Sequence, residues 1–273
     1  MISQSPPVSK IAMLSRRTTP ANLVYYVSPL LESAGIAHAF STRLGGVSAA
    51  PFDSLNLGNP SGAVQDGAAN IAENYRRLQA AIDAAELPRC WVHQVHGAEV
   101  HELRPGRSFA SGVYGDALVG DDPARLLCVR VADCVPVLLA SDDGRAVAAV
   151  HAGWRGIVAG VVAAAVERLR ALAPSRRLLA AIGPCIGQEA FEVGPEVSAQ
   201  FTRILGSRAP LAGKRVDLRA AVRLQLADAG VAGDHIDGTD RCTSRDREEF
   251  FSHRRERGVT GRMAAIIAPV LAV

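Results

Sequence analysis

Three short stretches place polar, reactive side chains where the surrounding pattern calls for apolar ones. They are Trp91-Val92-His93-Gln94-Val95-His96-Gly97, Arg130-Val131-Ala132-Asp133-Cys134-Val135-Pro136 and His151-Ala152-Gly153-Trp154-Arg155-Gly156. An unpartnered buried polar group costs roughly 1–3 kcal/mol, so each interruption needs a reason. In the first stretch His93 and His96 lie three apart. On an extended strand they would point to opposite faces, so they are not expected to serve one site together. His96 precedes a glycine, where the backbone can bend and let another group approach. In the second, Cys134 alone reads as a small core residue, whereas a carboxylate such as Asp133 in an apolar run demands a partner. In the third, a buried strand ends in His151 and turns through Trp154-Arg155 into a helix. The carboxyl end of such a strand is where α/β folds place ligands, and the start of the helix favours anions.

Together His96, Cys134 and His151 make a candidate metal set. Two imidazoles and a thiolate suit zinc with its fourth position open to water or substrate. The same set occurs in blue-copper centres, which usually add a weak axial Met. Met1, Met13 and Met263, the only methionines, are distant from all three stretches in sequence. The zinc nucleoside deaminase signature is missing: Pro184-Cys185 is present, but position 188 is Gln and no His-x-Glu occurs. A four-copper laccase needs about ten His and a Cys. This chain has seven His: His38, His93, His96, His101, His151, His235 and His253. One chain cannot build that site, although a single copper replacing zinc stays open, since Cu²⁺ outcompetes Zn²⁺ at most such sites.

These residues require a framework. The run Leu126–Ala140 is strongly β, Ala146–His151 and Leu178–Ile182 read as buried strands, and Trp91–Leu103 alternates imperfectly. Ile71, Tyr75, Leu78 and Ile82 predict a helix over Asp66–Leu87, closed by Pro88. A second helix is expected over Gly156–Leu172, and a third from Asp217, as N-cap, to Ala229 before Gly230. Ala264–Leu271 can close the sheet. The strand-helix-strand run from 146 to 183 points to a layered α/β fold. With no repeat or internal linker, a single domain over 23–273 is expected, preceded by a Ser-, Pro-, Thr- and Arg-rich extension over 1–22.

Composition narrows the function. Of 273 residues, 48% are hydrophobic and 21% charged, which excludes a mostly disordered chain. The net charge of +3 is too small to argue for nucleic acid. Twenty-eight of the 30 basic residues are Arg, Lys10 and Lys214 being the only lysines, and a coding bias explains that as well as phosphate binding does. The cysteines, Cys90, Cys128, Cys134, Cys185 and Cys242, are odd in number and scattered, so no disulfide framework follows. No secretory signal is evident, and the longest apolar run, Ile157–Val166, is too short to span a bilayer. A cytoplasmic protein with reduced thiols and no membrane partner is the expectation.

The segments HQVHG (93–97), DALV (116–119), VADCVPVLL (131–139), AVHAGWRG (149–156) and IGPCIG (182–187) resemble the YfiH-like family. That family is also called the laccase-domain or polyphenol oxidase family, and some members are labelled peptidoglycan editing factors. STRLGGVS (41–48) and FFSHRRERGVTGR (250–262) match its outer motifs, so the resemblance covers about residues 38–270. It implies a single layered α/β/α domain with a mixed central sheet, and zinc ligands at His96, Cys134 and His151. It also implies phosphorolysis of adenosine, inosine and methylthioadenosine, with adenosine deamination in the same pocket. The expected partners are thus a purine nucleoside and phosphate, for a monomer or homodimer. His253 departs from the family pattern, which often has Tyr there. Within that activity, Asp133 is the candidate for proton transfer and Cys134 a catalytic ligand. Arg43, beside Gly45-Gly46, and Arg155 are candidates for phosphate, and Trp154 for stacking on the base. The alternatives are a copper-dependent polyphenol oxidase and a peptidoglycan editing factor in which Cys134 attacks a carbonyl with His as base.

Overall fold

The computed structural model describes residues 13–271. In chain order the strands are β1 (Ser15–Thr18), β2 (Val24–Val27), β3 (His38–Ser41), β4 (Arg89–Trp91), β5 (Val100–Leu103), β6 (Ala117–Gly120), β7 (Leu126–Val131), β8 (Val135–Ser141), β9 (Val147–Ala152), β10 (Leu178–Ile182), β11 (Leu211–Ala212), β12 (Arg215–Val216), β13 (Ile236–Asp237) and β14 (Met263–Ile267). The helices are α1 (Pro29–Ser33), α2 (Ala68–Ala80), α3 (Trp154–Ala159), α4 (Val161–Leu172), α5 (Pro195–Leu205) and α6 (Leu218–Asp228).

Two six-stranded mixed sheets carry the fold, in the orders β1-β2-β3-β14-β7-β4 and β13-β10-β8-β9-β6-β5. They face each other across one apolar layer. Phe40, Leu127, Val129, Ala265 and Ile267 come from the first sheet, and Leu138, Ala140, Val147, Ala149 and Leu179 from the second. The outer face of the first sheet, with Leu126, Cys128 and Ile266, is covered by Tyr75 and Leu78 of α2. The outer face of the second, with Val135, Val137, Leu139, Ala148 and Val150, is covered by α4 and α6 through Val162, Val166, Leu169, Val222 and Leu226. The mixed α/β class stands, but the layers number four, two sheets lying where one central sheet was expected. Strands buried on both faces read as continuous apolar runs, so the pattern shows burial without showing how many sheets share it.

Both long β runs are divided between the sheets. Trp91–Leu103 becomes β4 in the first sheet and β5 in the second, and Leu126–Ala140 becomes β7 and β8. His93, His96, Asp133 and Cys134 therefore sit in the crossings, while His151 stays inside β9. Asp133, at φ 90°, turns the chain between β7 and β8. Cys128, on β7, packs on the outer face of the first sheet, 3.5 Å from the Tyr75 hydroxyl.

Helix limits moved for local reasons. The first expected helix ends at Ala80, since Asp83 is left-handed at φ 57° and the Gln79 amide donates to the carbonyls of Ala84 and Leu87. The second is cut into α3 and α4 by Gly160, at φ 85°. The third starts at the Asp217 N-cap, whose carboxylate accepts from the Ala220 N–H at 3.0 Å. Part of the expected extension is integral: Ser15–Thr18 pairs antiparallel with β2 as an edge strand. The rest of that extension, residues 1–12, lies outside the described residues.

Candidate active site

Three connections meet at one corner of the sandwich: the crossings at 92–99 and 132–134, and the turn from β9 into α3. They bring His96, Cys134 and His151 together, with one ligand atom of each within 4.8 Å of the others. The Cys134 Sγ lies 3.7 Å from His96 Nε2, and the two imidazole rings are 4.9 Å apart at 76°. His151 is buried, Cys134 half-buried and His96 exposed, so the set opens to solvent on one side.

Asp116 builds this corner. Its fully buried carboxylate accepts from three successive backbone N–H groups, Val95 at 3.3 Å, His96 at 2.9 Å and Gly97 at 2.6 Å. Three consecutive donors can converge on one carboxylate because His96 is left-handed at φ 62°. Asp116 also accepts from His151 Nδ1 at 2.8 Å, which leaves Nε2 turned toward Cys134 and His96. Burial pushes the Asp116 carboxyl up, but the bonds to His151, Gly97 and His96 win and hold it below the ordinary carboxylate range.

Among these side chains, burial pushes the Cys134 thiol up, but the His151 imidazolium and hydrogen bonds from both histidines outweigh it and bring it to about 6. His151 answers in the opposite sense: burial lowers it, yet the thiolate and Asp116 raise it to about 9. The pair favours thiolate and imidazolium, and a cation would replace the shared proton. The donor set fits a metal. Tetrahedral zinc bonds of about 2.0–2.3 Å put neighbouring donors roughly 3.5 Å apart. The 3.7 Å contact of Cys134 and His96 is close to that spacing. A carboxylate on the far nitrogen of a ligating His is the usual outer support. Gly153 is required here, since a Cβ would come within 2.7 Å of His96 Cδ2 and 3.1 Å of Cys134 Sγ.

Gln94 completes the positioning. Its amide donates to the Arg130 carbonyl at 2.7 Å and accepts from the Arg130 N–H at 2.8 Å. It takes the place of the strand partner that β7 loses where the chain leaves β4.

The three residues border a cavity of about 690 Å³. Trp154, Ile186 and Phe191 form apolar wall, and Arg130, Arg155, Arg254, Arg257 and Arg262 line it, with Asp133 as the one carboxylate. Trp154 is half-buried against the helical layer, and Arg155 stacks on its ring at 4.4 Å. His253 lies exposed at the same cavity, 3.3 Å from where a Cβ on Gly258 would stand.

Two candidate residues sit apart from the trio or are tied up by other partners. Arg43 does not join the set. It lines a separate cleft with Asp53, Arg247 and Glu256. There its guanidinium is held by Asp53 at 3.2 Å, Glu256 at 3.5 Å and the Asp53 carbonyl at 2.8 Å. Two carboxylates already satisfy its charge. Asp133 lines the cavity, but both its oxygens are committed: Oδ1 accepts from the Thr243 hydroxyl at 2.6 Å and Oδ2 from the Arg254 N–H at 2.7 Å. It clamps the 243 and 254 turns onto the β7–β8 crossing. Asp116, Gln94, Thr243 and the arginines other than Arg155 went unassigned by sequence reasoning. The available signals were Asp116 directly preceding the apolar strand Ala117-Leu118-Val119, and the family-like segments 93–97, 116–119 and 250–262 that contain Gln94, Asp116, Arg254, Arg257 and Arg262.

Comparison with known proteins now bears on this corner. The profile of the family described as "Multi-copper polyphenol oxidoreductase laccase" matches residues 37–269. The chain belongs to this YfiH-like, laccase-domain family. It is 42% identical over 243 residues to "Purine nucleoside phosphorylase YfiH" of Escherichia coli (strain K12), covering 86% of this chain and 95% of that protein. It is 41% identical over 252 residues to "Purine nucleoside phosphorylase" of Deinococcus radiodurans, covering 88% and 92%. The crystal structure of YlmD from Geobacillus stearothermophilus superposes with a TM-score of 0.82 at 32% identity, covering 95% of this chain and 100% of that one. Despite the family's multi-copper description, His96, Cys134 and His151 are the one His, Cys, Asp or Glu cluster spaced for a metal among the described residues. Among the described residues no helix is long and apolar enough to cross a membrane.

Proposed function

We propose that the protein is a zinc-dependent purine nucleoside phosphorylase that also deaminates adenosine in the same pocket. The observation that carries this reading is the convergence of two imidazoles and a thiolate on the wall of an arginine-lined cavity. Relatives above 40% identity that bear the phosphorylase name support it. A volume of about 690 Å³ lies within the range of about 300–1,000 Å³ typical of small-ligand sites.

His96, Cys134 and His151 would hold the ion, His151 through Nε2 because Asp116 occupies Nδ1. A zinc ion there supplies Lewis acidity toward the substrate and toward water. Trp154, Ile186 and Phe191 provide apolar surface for a purine, and the arginines neutralise phosphate. Asp133 keeps the 254 turn, and with it Arg254 and Arg257, over the cavity. Activity requires a reduced Cys134, which fits a cytoplasmic setting.

The test is one assay on protein of measured metal content, with adenosine supplied with and without phosphate. The expected result is adenine and ribose-1-phosphate only with phosphate, inosine in both cases, and about one zinc per chain. A zinc-loaded protein that forms no purine product overturns the proposal. The 3.7 Å Cys134–His96 contact favours one other reading, a cysteine nucleophile with a histidine base acting on a cell-wall carbonyl. A zinc-bound thiolate is a poor free nucleophile. Turnover that rises on metal removal would therefore favour that second reading.

A further inference from the structure

We propose that Arg130 and Arg262 form the subsite that holds the phosphate co-substrate. The word co-substrate rests on the phosphorolysis reading above; the anion site rests on the geometry that follows. β14 pairs antiparallel with β7, Ala264 opposite Arg130. Arg262, two residues before Ala264, is then the diagonal neighbour of Arg130 on the same face, at about the 7–8 Å spacing within reach of long side chains. Both line the cavity that His96, Cys134 and His151 border.

Neither guanidinium meets a carboxylate among the described residues. Other arginines also lack a carboxylate partner, but of the five that line the cavity only Arg130 and Arg262 are part-buried. The cavity's one carboxylate, Asp133, has both oxygens bonded to Thr243 and Arg254. Arg130 and Arg262 are placed by other means. Arg130 lies over Trp91 at 4.9 Å and against Gly58, where a Cβ would come within 2.8 Å of Arg130 Cδ. Gln94 clamps its backbone on both sides. Arg262 donates from Nη1 to the carbonyls of Thr260 and Gly261, at 2.9 and 3.0 Å. Its own N–H is held by Asn56 Oδ1 at 2.9 Å, and its carbonyl by the Leu57 N–H at 2.9 Å.

The two cations are thus fixed side by side before any ligand arrives. Burial, then the Arg130 charge, lowers the proton affinity of Arg262, as expected of like charges sharing one wall. Nothing in the folding of the sheet requires that repulsion. A dianion between the two forks relieves it, and planar guanidinium pairs match phosphate oxygens bidentately. Arg155, Arg254 and Arg257, all exposed, add a positive field at the mouth that draws anions inward.

The test titrates inorganic phosphate into the zinc-loaded protein by calorimetry, in buffer free of sulfate, and measures the phosphate KM of phosphorolysis. Arg130→Gln and Arg262→Gln should each weaken phosphate binding about tenfold or more. Arg262→Lys, which keeps the charge and loses the fork, should recover part of it. Metal content and the unfolding midpoint report folding. If Arg262→Gln fails to fold, Arg130→Gln and Arg262→Lys carry the test. Unchanged phosphate affinity in the folded variants overturns the subsite, as does a wild-type protein that binds no phosphate at millimolar concentration. Phosphorolysis with an unchanged phosphate KM sinks the subsite and leaves the phosphorylase reading intact. Phosphate binding lost in both variants, by a protein that cleaves no purine nucleoside, keeps the subsite and sinks that reading.

Discussion

His38 and His151 are both buried imidazoles, 2% and 3% exposed, and each belongs to a cluster with a fully buried carboxylate. Only one of them faces a cavity. His38 has both nitrogens committed, Nε2 accepting from the Ser28 N–H at 2.7 Å and Nδ1 donating to the Ile36 carbonyl at 2.9 Å. Asp237 takes the Ser28 hydroxyl at 2.6 Å and the Leu30 N–H at 3.0 Å, tying β13 to the start of α1. That cluster leaves no ring nitrogen free. His151 gives one nitrogen to Asp116 and keeps the other beside Cys134 and His96. At His38 burial outweighs the Ile36 hydrogen bond and the nearby Glu32 and Asp237 charges and lowers its proton affinity; at His151 a thiolate and a carboxylate reverse the sign. A buried histidine becomes a ligand when folding leaves one nitrogen unfilled next to other donors.

The contrast can be broken first at the metal corner. Cys134→Ala should abolish stoichiometric metal and lower turnover by about a hundredfold or more, read by elemental analysis and product chromatography. Retention of both would remove Cys134 from the site. Asp116→Asn keeps the shape but weakens the support of His151 and of the 95–97 turn. Metal affinity should fall about 10–100-fold in a chelator competition. His38→Gln probes the other cluster. Chemical denaturation should show a loss of about 1–3 kcal/mol with metal content unchanged.

Acid separates the clusters more finely. The folded-state value of His38 lies below the ordinary 6.5. Above the ordinary value both states are neutral and its contribution to stability is fully present. As pH falls below it the unfolded chain takes the proton first, and the contribution is lost down to the folded-state value. Stability should therefore drop as pH falls below about 6.5, and His38→Gln should flatten that slope. The smallest effect is expected at Arg43→Gln. Phosphate KM should stay unchanged while stability falls by roughly 1 kcal/mol, because Arg43 pairs with Asp53 and Glu256 away from the cavity. A raised phosphate KM would return Arg43 to the site.

The ligand trio was legible because each member breaks an apolar run, and burial makes such breaks costly enough to require a function. The α/β class and the strands near 126–151 and 178–182 were legible for the same reason. Asp116 was overlooked as a site residue because its partners, the 95–97 backbone and His151, are 19 to 35 positions away. The surroundings of Arg43 were equally hidden. A polar glycine-paired loop resembles an anion site until its carboxylate partners, Asp53 and Glu256, are seen.

Local chemistry in the chain determined what kinds of groups interrupt its apolar runs: two imidazoles, a thiol and a carboxylate where the pattern alone asks for Val or Leu. Whether those groups meet was decided by the sheets. Both long β runs cross from one sheet to the other, and periodicity cannot register a crossing between two layers that are buried on both faces. The tertiary arrangement alone put the crossings at one corner, set Arg130 and Arg262 on one face through the register of β7 and β14, and carried Arg43 to another cleft. Side-chain type is a property of single positions, whereas proximity depends on contacts between distant ones, and a single sequence records only the first.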